Sequence, residues 1–339
     1  MGEADACEGN GRGGGAHGDF VRPTLVRIAA LRDLSRSGRE VLSGMDLEIR
    51  AIREIITSRP RVSDVAQRRR DIDARGLAFG LKPDVKVEKV RAGGVPAEWT
   101  STPGADATAV VLYVHGGGYV IGSLDSHRHL VAEIGRACDA HALALDYRLA
   151  PEHPFPAPVE DTLAAYRFLL DSGIKPGRIA IAGDSAGGGL VAAAMLAIRG
   201  AALPPPGCGW CISPWVDLQS TGASMLDNAA RDPIVQKAGV LDLAGLYLAG
   251  ADPRSPLASP IHGDLRGLPP LLIQVGAVET LLDDSLMLAR AASLADVYVD
   301  LQVWPEMIHV WHQWFTQLDA GRRAIAAGGA FVREYVKGG

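Results

Sequence analysis

The chain of 339 residues has little cysteine, no long apolar run and no block of basic residues. Its four cysteines, Cys7, Cys138, Cys208 and Cys211, are too few and too scattered to make a disulfide scaffold at this size. Cys208-Gly-Trp-Cys211 spells C-x-x-C, yet a redox pair needs its first thiol at a helix N-terminus, where the thiolate is stabilised. This pair follows Pro204-Pro205-Pro206 and runs into Ile212-Ser213-Pro214, which reads as a strand entering a loop. No second C-x-x-C is present to complete a zinc site. The pair therefore reads as small buried apolar residues, and no metal or cofactor is expected. No segment approaches the ~20 apolar residues of a membrane span. Residues 1–8 lack the basic and apolar regions of a secretory signal, so the expected location is cytoplasmic. With 34 basic and 39 acidic residues, a net charge of −5 and no basic cluster, neither nucleic acid nor an anionic membrane surface is an expected partner.

Glycine, by contrast, is plentiful: 40 residues, beside 21 prolines, against an otherwise ordinary 47% apolar and 22% charged composition. Length alone leaves two domains, or one large domain with an insertion, equally open. Residues 1–18 carry seven glycines among small polar residues with nothing to bury, and are expected to be a disordered leader. Residues 19–75 read as helical, with Leu42, Met45, Leu47, Ile49, Ile52, Ile55 and Ile56 set among charges. Beyond them, short β-rich runs alternate with helical stretches. Strands are expected at 85–90, 109–114, 142–145, 178–182, 207–212, 270–275 and 299–304, and helices at 126–140, 158–172, 186–199, 283–295 and 315–336. Several of the strands are apolar almost throughout, as when helices cover both faces. That alternation predicts an α/β fold built on a doubly wound, mainly parallel sheet of about eight strands. Between Ser213 and Pro270 the rhythm breaks into proline-punctuated loops and helices, which points to an insertion above the sheet.

Two glycine motifs carry the chemistry. Gly183-Asp184-Ser185-Ala186-Gly187 follows a predicted strand and opens a small-residue helix, the setting in which G-x-S-x-G marks a nucleophile on a tight turn. The turn lifts the Ser185 hydroxyl clear of the sheet and sets it at a helix N-terminus, where developing negative charge is stabilised. Upstream, His115-Gly116-Gly117-Gly118-Tyr119 ends the apolar strand at 109–114. Three glycines in a row permit a turn whose N–H groups converge, as a tetrahedral oxyanion requires, and an H-G-G-G loop is a known partner of G-x-S-x-G. Neither G-x-G-x-x-G nor the G-x-x-x-x-G-K-[ST] phosphate loop is matched here.

A serine nucleophile needs a base, and the base needs an acid to hold its tautomer. Of nine histidines, His309 combines chain order and position: it follows the last predicted strand and precedes the final helix. His312 reads as a partly covered surface residue. Three acids follow the strand at 270–275: Glu279, Asp283 and Asp284. Glu279 lies in the loop itself, whereas Asp283 and Asp284 look like the cap and first turn of the next helix. Position favours Glu279 and leaves Asp283 as the alternative.

These motifs, with Asp146-Tyr-Arg-Leu-Ala-Pro-Glu-His-Pro-Phe-Pro-Ala157 and Ser213-Pro-Trp-Val-Asp217, resemble signatures of the hormone-sensitive-lipase-like α/β-hydrolases, the bacterial family IV esterases. The resemblance covers about residues 80–336. It implies oxyanion donors at the amides of Gly117, Gly118 and Ala186, and ion-pair roles for Arg148 and Glu152. The family's acid usually stands in a string like Asp-Pro-Leu-Arg-Asp; here Glu279-Thr-Leu-Leu-Asp283 takes its place, with Glu where Asp is usual. It also implies a helical cap formed by residues 19–75 and 216–260, over a catalytic domain of residues 76–215 and 261–339. Homodimers are frequent in the family, so a dimer is an expected assembly.

The expectation is a carboxylic ester hydrolase acting on a small-molecule ester, with Ser185 as nucleophile, His309 as base and Glu279 or Asp283 as acid. Apolar residues in and beside the cap (Trp215, Met225, Leu226, Ile234, Val235, Leu241) suit short to medium acyl chains. Tyr119 and Trp215 are candidate pocket residues, although Tyr119 fits core packing equally well. The competing reading is a non-catalytic small-molecule receptor on the same fold.

Overall fold

In the computed structural model, which describes residues 27–28, 36–58 and 62–337, the apolar runs form a nine-stranded sheet. The strands are β1 (Arg27–Ile28), β2 (Lys86–Ala92), β3 (Val95–Ser101), β4 (Asp106–Val114), β5 (Ala140–Leu145), β6 (Ile179–Asp184), β7 (Cys208–Ile212), β8 (Leu271–Gly276) and β9 (Val299–Trp304). Their order is β1-β9-β8-β7-β6-β4-β5-β3-β2, and only the β2–β3 and β3–β5 pairings are antiparallel. The predicted mainly parallel sheet is thus observed. The expected leader at residues 1–18 lies outside the described residues.

β1 and β3 are not anticipated by the sequence pattern. β3 carries Pro96 and Glu98, residues that disfavour a strand on composition. Glu98 is nevertheless buried, because Arg128 forks across its carboxylate at 2.5 and 2.9 Å.

The helices are α1 (Arg36–Thr57), α2 (Val65–Phe79), α3 (Leu124–Cys138), α4 (Ala157–Asp171), α5 (Ala186–Gly200), α6 (Ser224–Asp227), α7 (Lys237–Leu248), α8 (Leu282–Leu294) and α9 (Asp319–Lys337). The last begins at Asp319, four residues later than expected, after a 3-10 turn at Trp311–Trp314 and a short irregular stretch. Strand β4 shows how the layers form. Val110, Leu112 and Val114 face the core shared with α4, α5 and α8, while Ala109, Val111 and Tyr113 face the one shared with α3 and α9. From adjacent strands β4 and β6 the chain leaves toward opposite faces, into α3 and α5. This is the switch point of a doubly wound sheet, where ligand sites open at the C-terminal strand ends.

Both N-terminal helices brace loops at that edge. Ile49 and Ile52 of α1 pack among Val278, Trp304, Met307, Ile308 and Trp311. On α2, Arg69 donates to the carbonyls of Val120 (2.8 Å) and Ala150 (2.9 Å) and pairs with Glu152 (2.8 Å). α2 crosses α3 so closely at Gly76 that a Cβ there would lie 2.4 Å from Ser126 Cα.

Candidate active site

Ser185 sits between β6 and α5 with φ 56° and ψ −120°, a backbone that side-chain-bearing residues rarely adopt. The strain is held by the surroundings. Ser185 N donates to Ile212 O at 2.8 Å, and its carbonyl accepts from Gly189 N (3.0 Å) and Trp215 N (2.9 Å). Gly187 is required by close approach: a Cβ there would lie 2.0 Å from Val114 O. The turn is therefore pressed against the end of β4, from which the second motif leaves.

In that motif Gly117 (φ +119°) and Gly118 (φ +64°) supply the backbone freedom of the turn. Among the described residues, the amides of Gly117, Gly118 and Ala186 have no hydrogen-bond acceptor. Asp184 ties this loop to the serine turn. Fully buried, its carboxylate accepts from Tyr113 Oη (2.6 Å) and Gly116 N (3.0 Å) and faces His127 Nε2 at 3.3 Å. Burial alone would raise its pKa, but the His127 charge and hydrogen bond and the Tyr113 hydroxyl outweigh it and hold the carboxyl at about 2. His115 stacks on Tyr147 at 4.3 Å, and burial lowers its pKa to about 3, so it is a neutral packing group.

On the other side of Ser185, His309 Nε2 lies 2.9 Å from Ser185 Oγ, and its Nδ1 lies 2.8 Å from Glu279 Oε2. Glu279 is 0% exposed; its second oxygen, Oε1, accepts from Ser213 Oγ (2.8 Å) and Gly276 N (2.6 Å). Burial disfavours charge on His309, yet the hydrogen bond and charge of Glu279 outweigh that and raise its pKa. Asp283 stands elsewhere: its Oδ2 accepts from Ser224 N at 2.9 Å, so it anchors α6 rather than the histidine. Of the two acids left open by the sequence, the structure brings Glu279 to His309. Asp284 is buried too, accepting from Val216 N (2.9 Å) and Asp217 N (3.0 Å), with its pKa driven to about 8 by burial.

Tyr119 and Trp215 are both almost fully enclosed, with ring centroids 6.1 Å apart. Tyr119 stacks on Tyr247 of α7 at 3.9 Å, and a Cβ on Gly118 would reach within 2.5 Å of Leu243 on the same helix. α7 thus leans directly on the glycine loop. His312 departs from its expected surface position. It is 0% exposed, bonds Gln274 Oε1 at 2.9 Å, and burial lowers its pKa to about 3. Arg148 and Glu152 do form ion pairs, but with α4 (Asp161, 2.8 Å; Glu160, 3.0 Å) and α2 (Arg69) respectively.

Sequence reasoning assigns no role to Ser213, which bridges the acid and the histidine loop: its Oγ donates to Glu279 and accepts from Val310 N at 3.1 Å. Its place directly after a buried strand is the available signal. Asn228 and Asp232 also escape the sequence reading, and no local motif marks them. Among the described residues no group of His, Cys, Asp and Glu could hold a metal ion, and no helix is long and apolar enough to cross a membrane.

A family model described as alpha/beta hydrolase fold matches residues 111–313. The chain is 49% identical over 288 residues to an acetyl-hydrolase of Streptomyces hygroscopicus, covering 84% of this chain and 96% of that protein. It is 34% identical over 252 residues to an esterase of Acinetobacter venetianus, covering 73% and 83%. Among solved structures, an esterase from the bacterial hormone-sensitive lipase family superposes with a TM-score of 0.83 at 49% identity, over 86% of this chain and 98% of that one. EstE5, in a crystal soaked with p-nitrophenyl butyrate, gives 0.83 at 46% identity, over 86% and 99%. With this coverage and identity, and with the serine turn and glycine loop in place, the chain belongs to the α/β-hydrolase fold family and, within it, to the hormone-sensitive-lipase group of esterases.

Proposed function

We propose that this esterase cleaves short- to medium-chain acyl esters through Ser185, His309 and Glu279, with the oxyanion received by the amides of Gly117, Gly118 and Ala186. The observation that carries the reading is the unbroken hydrogen-bond chain from Ser185 Oγ through both nitrogens of His309 to Glu279, at 2.9 and 2.8 Å. As Ser185 Oγ attacks the ester carbonyl, its proton passes to His309 Nε2, and buried Glu279 stabilises the imidazolium on the Nδ1 side. The carbonyl oxygen becomes an oxyanion; unpartnered amides on two loops beside Ser185 are the donors it needs. Collapse of the tetrahedral intermediate breaks the bond to the alkoxy oxygen, which takes the proton from His309 and leaves as the alcohol. Water then gives a proton to His309 and attacks the acyl-serine. The acid departs, and Ser185 recovers its proton.

The β7–β8 connection, together with α1 and α2, is assigned as the cap. Support comes from α7, whose Leu243 and Tyr247 lie against Gly118 and Tyr119, so acyl length should be set there. The relative whose crystal was soaked with p-nitrophenyl butyrate makes a short-chain series the natural assay. Ser185→Ala should cut kcat for p-nitrophenyl butyrate by about 10³-fold or more while leaving the fold intact. An organophosphate should label the wild-type serine. Turnover retained by the variant would overturn the mechanism, and ester binding without turnover in the wild-type protein would make it a receptor.

A further inference from the structure

The loop that carries Glu279 is gripped by side chains from the β7–β8 connection at a spacing of four residues. Ser224 Oγ donates to Thr280 O (2.6 Å) and accepts from Asp283 N (3.0 Å). Asn228 Nδ2 donates to Glu279 O at 2.9 Å. Asp232 closes the series. Its Oδ2 accepts from Thr280 N (2.9 Å) and Thr280 Oγ1 (3.2 Å), and its Oδ1 accepts from Ile234 N (2.8 Å) and Val235 N (3.0 Å).

Asp232 differs from the other two in being charged. It is 2% exposed and forms no ion pair among the described residues. Its neighbour Arg231 turns outward to Glu306 at 3.4 Å. A buried carboxylate satisfied only by amides and a hydroxyl is costly to desolvate. An asparagine would not satisfy the same four donors, but a purely structural anchor could be built without charge, as Ser224 and Asn228 are.

We propose that Asp232 is a positioning residue for the Glu279–His309 pair, seating the acid loop through Thr280 and adding, to Glu279 and Asp184, a further buried negative charge that favours the His309 imidazolium. The inference rests on the triad reading above. Its charge acts on both members of the pair, in the direction that raises the pKa of each. The charged groups around His309 are Glu279 on the acid loop, Asp184 at the serine turn and Asp232 on the connection. Farther out lie Asp283 at the start of α8 and the Arg231–Glu306 pair, with Arg53 bonded to the carbonyls of both members. Asp232 thereby couples the proposed cap to the chemistry: displacing the cap residues displaces the acid.

The experiment is the pH profile of kcat/KM for p-nitrophenyl butyrate with Asp232→Asn. Catalysis needs neutral His309 at the start, so the acid limb reports its pKa in the free enzyme. Removing a neighbouring negative charge lowers that pKa, and the limb should move to lower pH by about half a unit. At the same time kcat should fall about tenfold with KM little changed. Lost stability with an unmoved limb would make Asp232 a structural anchor and overturn the proposal. If Asp232→Asn does not fold, Thr280→Val removes one donor to Asp232 and keeps the backbone amide. A severalfold lower kcat at constant KM supports the coupling, and an unchanged kcat overturns it. Organophosphate labelling separates the two layers. Failure to label Ser185 in the wild-type protein defeats the triad reading, whereas labelling at Ser185 with an unmoved limb defeats only the role of Asp232.

Discussion

The serine side and the histidine side of the site are held by different means. On the serine side the shape resides in the backbone: Ser185 at φ 56°, Gly117 at +119°, Gly118 at +64°, and Gly187 pressed to where a Cβ would meet Val114 O at 2.0 Å. On the histidine side it resides in side chains brought from separate parts of the chain. Ser213 follows β7, Ser224, Asn228 and Asp232 lie in the next connection, and all of them converge on the loop after β8. Steric exclusion tolerates no added atom. A hydrogen-bonded seat can lose one contact and keep its shape, at a cost of about 1 kcal/mol per neutral bond. The first side should therefore fail in folding when altered, and the second in catalysis.

Substitutions can break that contrast. The largest effect on folding is expected from Gly187→Ala. The methyl has only backbone carbonyls to displace, so a loss of about 3 kcal/mol or more should appear as a lowered Tm and poor soluble yield. Thermal unfolding checks it, and a wild-type Tm would show that the turn can relax. Next comes Glu279→Gln, which keeps the volume but removes the charge facing His309. The fold should survive while kcat falls about 10³-fold or more, because the histidine loses both its tautomer and its counter-charge. Steady-state kinetics beside a circular dichroism spectrum would decide. The smallest effect is expected from Asp283→Asn, the other acid that the sequence leaves open. It weakens the hold on Ser224 N by about 1 kcal/mol and should change kcat by no more than a few-fold. A loss as deep as that of Glu279→Gln would reverse the assignment of the acid.

The same contrast explains how much of the molecule is legible in its sequence. The sheet, its parallel character and most of its strands are legible, because doubly covered strands must be apolar along their length and helices must show their own period. The serine turn and glycine loop are legible because steric constraint acts on a few adjacent residues and leaves glycine as its trace. β3 is not: its polar Glu98 is tolerated only because Arg128 arrives from α3. His312 reads as a surface residue because nothing adjacent in sequence reveals that Gln274, on β8, offers it a partner in the core.

For the acid, sequence shortens the choice to Glu279 and Asp283 but does not complete it. Both carboxylates follow the same strand, within one helical turn of each other, and local pattern has no term for which one meets a histidine thirty residues on. The fold brings Glu279 to His309 and sets Asp283 against Ser224. Gly276 N and Ser213 Oγ orient the Glu279 carboxylate toward His309, while Ser224 takes up Asp283. Constraints that act between neighbours in the chain, such as strain, periodicity and glycine-only turns, leave their record in the residues themselves. Constraints that act between distant segments, such as a buried carboxylate finding its donors, exist only once the chain has closed around them.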